Sequence, residues 1–253
     1  MFKYCLHLTY DGTNYSGWQI QPNALSIQQL IQEALAVLIR EPVSLVGSGR
    51  TDAGVHAQDQ AAHFTCSTEQ DVHKLCRSLN GMLPKDIRCL QICQVALSFH
   101  AQKSAIKKEY HYVLCLGPIV PPFQRLYCHH IPYAIDLSLL HEAALLFTGT
   151  HDFSSFANSQ HHGSAGKNPV RTIYRLDLVE WEYGIRLEFE GNGFLYKMVR
   201  NIVGMLIAVA SGKKALSDIP RLFAAKDRRQ APLAAPARGL FLIQAHYTSS
   251  KLE

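Results

Sequence analysis

The order of strand-like and helix-like patterns constrains the fold of this chain more than any single residue does. In the first half, alternating apolar residues predict strands, and apolar residues at helical spacing predict two helices between them. Ser26 with Gln29 three residues later is a capping box, which marks the start of the first helix. The resulting order, β-α-β-β-α-β, is that of a ferredoxin-like unit. The predicted strands are 2–10, 43–48, 57–66 and 86–96, and the predicted helices lie between 26 and 42 and at about 71–82.

The second half has a similar order, β-α-β-β-α-α-β, with one added helix. Residues 170–181 and 184–192 predict a hairpin, and Gly212 predicts the end of the longest helix. We therefore expect an α+β fold of two ferredoxin-like domains, residues 1–100 and 101–253, with mainly antiparallel sheet and helices on one face. The other predicted elements are strands at 105–117 and 239–247 and helices at 137–149, 195–212 and about 217–226.

The composition is that of an ordinary globular protein. The 253 residues are 47% apolar and 18% charged. The longest apolar stretch, 205–210, is far too short to cross a bilayer. Seven scattered cysteines without a C-x-x-C motif are typical of reduced thiols, so we expect a cytoplasmic protein. A formal net charge of +5 permits a polyanionic partner without requiring one.

The sequence predicts no metal site and no nucleotide cofactor. Neighbouring ligands such as Cys128-His129-His130 and His161-His162 point apart on a strand and rarely share one ion. No glycine-rich phosphate-binding motif opens a helix after a strand. Residues 161–169 predict a mobile loop, which is either a basic contact for RNA or an ordinary surface excursion.

The segment GSGRTDAGVHAQ, residues 47–58, is an unusual connection between two strands. Its three glycines carry no side chains, so a ligand can approach the backbone closely. Asp52 is an anion that suits nucleophilic or electrostatic work, but a solvated turn residue explains it equally well. Arg50 is either a surface charge paired with Asp52 or a cation for a phosphate or an unstacked base. His56 is a weaker candidate that would help to order the loop.

Two further segments combine basic and aromatic or apolar residues. In KKEYHYVL, residues 107–114, the alternation of Tyr110 and Tyr112 is typical of a half-buried strand. The lysines beside these rings also suit a base stacked next to phosphates. Arg200 lies in an otherwise apolar helical run, where a guanidinium needs a carboxylate partner, and Asp52 is one candidate.

Seven segments, in order and spread from about residue 4 to 245, resemble the motifs of the bacterial tRNA pseudouridine synthase I (TruA) family. The resemblance implies an isomerase that converts uridine to pseudouridine at positions 38 to 40 of the tRNA anticodon arm, without cofactor or metal. It also implies a homodimer and a continuous sheet formed by both halves, with the active cleft between them. The segments are YDGTNYSGWQIQP, GSGRTDAGVHAQDQAAHF, KKEYHYVL, GTHDFSSFAN, NPVRTI, GNGFLYKMVRNIVG and APARGLFL.

The resemblance also implies roles for four residues. Asp52 matches the catalytic aspartate of the family, and Tyr110 matches the tyrosine that packs on the target uracil. Arg50 matches the arginine associated with base flipping. Arg200 matches the arginine that pairs with the catalytic carboxylate. Asp52 could add to C6 of the base, attack C1′ or deprotonate the sugar, and the sequence does not choose among these routes.

Two departures from the family pattern flank Tyr110: Glu109 and His111 stand where many relatives carry basic or polar residues. They could weaken phosphate contact locally. The basic residues expected to hold tRNA phosphates are Lys107, Lys108 and Lys197.

Two other classes of function remain as alternatives. A tRNA-binding or folding module of the same fold would have lost catalysis, which the intact set of matching residues argues against. A small-molecule hydrolase with an aspartate nucleophile would need a general base and an oxyanion motif, and neither is visible in the sequence.

Overall fold

A computed structural model of the chain describes residues 1–158 and 168–248. Contacts between residues divide the chain into two compact units. The first unit is Met1–Lys107 with Phe241–Glu253, and the second is Lys108–Leu240. In the described parts of the chain, the helices are all too short or too polar to cross a membrane.

The described residues form ten strands and five α-helices. The strands are β1 (Phe2–Tyr10), β2 (Val46–Gly47), β3 (His56–Cys66), β4 (Ile87–Val95), β5 (Lys107–Leu116), β6 (His129–Ile131), β7 (Gly149–Asp152), β8 (Val170–Trp181), β9 (Gly184–Gly191) and β10 (Leu240–His246). The helices are α1 (Ile27–Ile39), α2 (Val72–Met82), α3 (Leu137–Leu145), α4 (Met198–Ala210) and α5 (Asp218–Ala225). The prediction of an α+β fold is confirmed.

The sheet of the first unit is centred on β1 and β3. β1 pairs antiparallel with β3 on one side and with β4 on the other. The free edge of β3 is shared by two strands, because β2 pairs antiparallel with its later residues and β10 runs parallel to its first residues. The strand order β4-β1-β3-β2 with two helices is the ferredoxin-like arrangement.

Local sequence signals explain where the two helices of this unit begin. The Ser26 side chain accepts a hydrogen bond from the Gln29 amide, as the capping box predicted. Asp71 caps α2 in the same way, through the Lys74 amide. α1 packs against α2, and α2 packs against β4.

The second unit has an antiparallel sheet in the order β5-β9-β8-β7, and β6 runs parallel to β5. The predicted hairpin is present, with Trp181 opposite Gly184. Gly184 has φ of +156°, and a Cβ there would lie 2.3 Å from the Leu114 carbonyl oxygen. Gly212 follows α4 with φ of +71°, as expected for a glycine that ends a helix.

Several elements differ in length from the prediction. Residues at the ends of a predicted element fit its apolar pattern, but they make no hydrogen bonds of a strand or helix and so lie outside it. β2 covers two residues of the predicted 43–48, and α4 is shorter at both ends. The three-residue β6 and the four-residue β7 were not predicted. Three expectations stay predictions: the domain boundary between residues 100 and 101, the continuous sheet and the active cleft. The predicted loop at 161–169 lies mostly outside the described residues, as do His161 and His162.

Candidate active site

Asp52 lies in the connection from β2 to β3, residues 48–55, which we call the Asp52 loop. The loop closes in a tight turn, where the Val55 amide donates to the Asp52 carbonyl at 3.1 Å. Gly54 has φ of +77° in this turn, a conformation that favours glycine. The Asp52 side chain is half-buried and Arg50 is exposed. The chain therefore presents this carboxylate and this guanidinium at its surface and not inside a core.

A neighbouring segment, residues 10–18, holds the backbone next to Asp52, and we call it the anchoring segment. The hydroxyl oxygens of Tyr10 and Thr51 lie 2.8 Å apart and share a hydrogen bond. The backbone amide of Trp18 donates to the Thr51 carbonyl at 3.0 Å. Thr51 and Trp18 are buried, and hydrogen bonds are stronger away from water. The peptide that precedes Asp52 is therefore fixed from two sides.

Two glycines let the anchoring segment approach the Asp52 loop. Gly17 has φ of +95°, and a Cβ there would lie 2.5 Å from the Thr51 carbonyl oxygen. A Cβ at Gly12 would lie 2.0 Å from the Val55 carbonyl oxygen. Both distances are far below the 3.4 Å at which ordinary van der Waals contact begins. A side chain at either glycine would displace the loop that carries Asp52.

Gln60 of β3 holds the beginning of the Asp52 loop. Its Nε2 donates to the Gly49 carbonyl at 2.8 Å, and its Oε1 accepts from the Ser48 hydroxyl at 3.1 Å. Gln60 and Ser48 are completely buried. Because a buried amide is costly unless both ends are satisfied, these two bonds fix one arrangement of the loop backbone.

His56 orders the region where the loop enters β3. The Gly12 amide donates to Nδ1 of its buried ring at 3.1 Å. The other side of the ring stacks on Phe241, with the ring centroids 4.7 Å apart.

The sequence patterns did not identify Gly12, Gly17 or Gln60 as residues that position the Asp52 loop. The available signal was the pair of glycines among aromatic residues in the segment DGTNYSGW. Gln60 gave no signal, because a polar residue in an alternating strand usually faces solvent.

Tyr110 lies on β5 in the second unit and is buried. It sits opposite Phe189 of β9 and makes an edge-to-face contact with Phe194, with the ring centroids 5.1 Å apart. Tyr112 is a structural residue, since its hydroxyl donates to the Pro236 carbonyl at 2.8 Å and burial raises its pKa. Packing therefore explains one tyrosine of the EYHY segment, and the role of Tyr110 on uracil stays a prediction.

Arg200 occupies the first turn of α4 and is half-buried. Its Nε donates to the Ala235 carbonyl at 2.7 Å, and the Ala235 amide donates back to the Arg200 carbonyl at 2.9 Å. The start of α4 is thereby joined to Ala235, the first residue of the segment APARGLFL. Arg200 and Tyr110 belong to the second unit and Asp52 to the first, so the pairing of Arg200 with Asp52 stays a prediction.

Two of the predicted phosphate-binding lysines have distinctive surroundings. Lys108 is half-buried, and burial together with the nearby Arg171 guanidinium lowers its pKa from 10.5 to about 8. Lys197 precedes α4, and its ammonium lies 5.2 Å from the centroid of the Tyr196 ring. Lys108 therefore loses its charge as pH rises through about 8.

The sheet of the second unit carries a group of charges that we call the Glu188 cluster: Glu109, His111, Arg175, Arg186 and Glu188. Ligand atoms of its two glutamates and its histidine lie within 4.8 Å of one another. The Glu188 carboxylate, however, accepts from Arg175 at 3.0 Å and from Arg186 at 2.8 Å. These guanidinium groups already supply the positive charge that a metal ion would supply, so the donor set does not favour a cation.

Comparison with known proteins identifies the family. A family model described as tRNA pseudouridine synthase matches residues 8–102 and 143–248. The chain belongs to this family. The identification made from the seven segments, with its expectation of an isomerase, is confirmed. The matched ranges of the tRNA pseudouridine synthase family include Arg50, Asp52 and Arg200 but not Tyr110.

Three relatives match over nearly the whole chain. A protein named tRNA pseudouridine synthase A 1 from Protochlamydia amoebophila (strain UWE25) is 62% identical over 248 residues, which are 98% of this chain and 97% of the relative. A tRNA pseudouridine synthase A from Chlamydia muridarum (strain MoPn / Nigg) is 45% identical, over 98% of this chain and 92% of the relative. One from Thermoanaerobacter sp. (strain X514) is 43% identical, over 94% and 96%.

Proposed function

We propose that this chain converts uridine to pseudouridine at positions 38 to 40 of the tRNA anticodon arm, with Asp52 as the catalytic carboxylate. One observation carries the proposal. Asp52 stands half-buried on a loop whose backbone carbonyls accept hydrogen bonds from the Trp18 amide, at Thr51, and from the Gln60 side chain, at Gly49. Catalytic groups need such fixed positions, because a small displacement of a reacting atom costs much of the rate. Membership of the tRNA pseudouridine synthase family supports the reaction type.

The proposed reaction breaks the C1′–N1 bond of uridine and forms a C1′–C5 bond, so it needs neither an oxidant nor a second substrate. An anion close to C1′ and C6 is the group that this isomerisation requires. Asp52 supplies it by adding to C6, by attacking C1′ or by removing a sugar proton. No metal or cofactor takes part in any of these routes.

Three other residues complete the proposed site. Arg50 is exposed on the Asp52 loop and takes the place of the extruded base or contacts its phosphate. Tyr110 packs on the target uracil, and Arg200 pairs with the Asp52 carboxylate. Unstacking a base costs a few kcal/mol, which contacts with Arg50 and Tyr110 offset.

The proposal extends to the assembly and its location. Lys107, Lys108 and Lys197 hold phosphates of the anticodon arm, which makes binding dependent on salt. The chain works as a homodimer in the cytoplasm. Light scattering of the purified protein measures the mass of the assembly, and a monomer of 28.3 kDa at working concentration contradicts the dimer.

Substrate position is the part of the proposal that one assay decides. The assay uses four unmodified tRNA transcripts. Three carry a single uridine at position 38, 39 or 40, and the fourth, which is otherwise matched, carries it in another arm. We expect pseudouridine in the first three transcripts and none in the fourth. Modification of the fourth alone rejects the anticodon arm, and binding of all four without turnover favours the non-catalytic tRNA-binding module.

A further inference from the structure

A cysteine, a histidine and an aspartate lie together on the first unit, outside the candidate active site. His7 is on β1, Asp59 on β3 and Cys93 on β4, and these three strands are neighbours in one sheet. Cys5 lies two residues before His7, so both side chains project from the same face of β1. We call Cys5, His7, Asp59 and Cys93 the Cys93 site.

The histidine is held between the carboxylate and the thiol. Nδ1 of His7 lies 2.8 Å from Oδ1 of Asp59. Cys93 is the diagonal neighbour of His7 across the β1–β4 pair, because Cys5 lies opposite Cys93 and His7 lies opposite Gln91. A thiol, an imidazole and a carboxylate in this order form the arrangement in which a base, oriented by a third group, activates a nucleophile. The His7 and Asp59 side chains are 26% and 25% exposed, so solvent reaches the group.

The protonation of these groups agrees with that arrangement. The Asp59 carboxylate, which accepts from the ring, and the neighbouring Cys93 side chain raise the pKa of His7 to about 9. The neighbouring Cys5 and His7 side chains lower the pKa of the Cys93 thiol. At neutral pH, the pair is therefore an imidazolium beside a thiolate, which is the nucleophilic form of cysteine.

Cys5 is placed to react with Cys93. The two residues are directly opposite each other in the antiparallel register of β1 and β4, and the Cys93 thiol donates to the Cys5 carbonyl at 3.7 Å. Directly opposed residues in antiparallel strands have Cα atoms about 4.5–5.5 Å apart, within the range of roughly 4.4–6.8 Å that disulfides span. Cys5 is completely buried and Cys93 is half-buried. A reagent in solution therefore meets Cys93 first.

We propose that Cys93 is a reactive nucleophile that exchanges with small disulfides and that Cys5 resolves the product to an internal disulfide. The Cys93 thiolate attacks one sulfur of R–S–S–R, forming Cys93–S–S–R and releasing RS⁻. The Cys5 sulfur then attacks the Cys93 sulfur, closes the Cys5–Cys93 disulfide and releases the second RS⁻. Two electrons pass from the cysteines to the small disulfide, and the protons of His7 and Cys5 complete two RSH.

Alkylation with iodoacetamide at pH 7, followed by mass spectrometry of each peptide, tests the first step. Cys76 is the internal control, because it is half-buried like Cys93 and its hydrogen bonds are to the Cys89 carbonyl and the Asn80 amide. We expect Cys93 to react at least about tenfold faster than Cys76. In a His7→Gln variant, the rate at Cys93 should fall to that of Cys76, while the rate at Cys76 stays unchanged.

Oxidised glutathione tests the second step. The wild-type protein should lose two hydrogen atoms and keep no adduct, while a Cys5→Ser variant should retain one glutathione on Cys93. Equal alkylation of Cys93 and Cys76 in the wild-type protein overturns the nucleophile, and this comparison needs no variant. A stable glutathione adduct on wild-type Cys93 overturns the role of Cys5.

Discussion

The Asp52 loop and the Glu188 cluster hold carboxylates in two different ways. In the loop, the backbone is fixed by neutral partners, such as the Trp18 backbone amide and the Gln60 side-chain amide. In the cluster, the side chain itself is fixed, since both oxygens of Glu188 accept from arginines. Backbone restraint sets where the residue that carries a carboxylate stands, whereas ion pairs fix the carboxylate oxygens themselves. The two regions therefore fix different parts of an acidic residue.

Gly17→Ala is expected to disturb the backbone restraint on the Asp52 loop most strongly. The new methyl group would lie 2.5 Å from the Thr51 carbonyl oxygen, so the Asp52 loop must move. A displacement of about 1 Å at a reacting group costs roughly a hundredfold in rate. We expect that loss in pseudouridine formation under single-turnover conditions.

Gly212→Ala is the matched control, because Gly212 also has a positive φ, of +71°, but a Cβ there would meet nothing within 4 Å. It should cost about 1 kcal/mol of stability for the left-handed conformation and leave the rate near that of the wild type. Equal rate losses in the two variants would mean that general strain, and not the position of the loop, limits the reaction.

Gln60→Ala tests the other end of the loop. It removes one hydrogen bond from the buried Ser48 hydroxyl and one from the Gly49 carbonyl. We expect the free energy of unfolding to fall by about 1–3 kcal/mol and the rate to fall roughly tenfold. Gln58→Ala, at an exposed glutamine on the same strand, is the control for both measurements. Unchanged activity in Gln60→Ala would remove Gln60 from the positioning of Asp52.

Glu188→Gln tests the second region of the comparison, the Glu188 cluster. The variant leaves Arg175 and Arg186 without their shared counter-charge, so denaturant unfolding should show a loss of about 1–3 kcal/mol. The rate per folded molecule should stay within about threefold of the wild type, because the effect is structural. A large loss of rate without loss of stability would place Glu188 in the reaction.

The pH dependence of this stability has a definite sign. Burial alone would raise the pKa of Glu188, but the hydrogen bonds from Arg175 and Arg186 outweigh it and lower that pKa below 4.5. The stabilisation is therefore present above pH 4.5 and is lost as pH falls through the folded value. Glu188→Gln should remove that part of the acid dependence in unfolding curves.

Lys108 gives the smallest expected effect. Because its pKa is lowered to about 8, a phosphate contact from Lys108 weakens between pH 7 and 9. We expect Lys108→Gln to reduce the salt slope of tRNA binding by about 1 at pH 7 and by less at pH 9. An equal reduction of the salt slope at pH 7 and at pH 9 by Lys108→Gln contradicts the effect of burial at Lys108.

Local signals predicted more of the fold than of the site. The capping box at Ser26 and the hairpin between residues 181 and 184 depend on neighbours in the sequence, and both are present. Gly17 touches Thr51, which lies far along the chain, so the glycine was visible in the sequence but its contact was not. β6 and β7 were missed because three or four residues are too few to establish an alternating pattern.

Pseudouridine formation by Asp52→Asn, measured on tRNA with uridine at positions 38 to 40, tests the central claim most directly. Glu33→Gln makes the same change of charge at an exposed carboxylate on α1 and is the matched control. We predict that Asp52→Asn loses at least about a thousandfold in rate and still binds tRNA, while Glu33→Gln keeps the wild-type rate. Turnover by Asp52→Asn at the wild-type rate would contradict the assignment of Asp52 as the catalytic carboxylate.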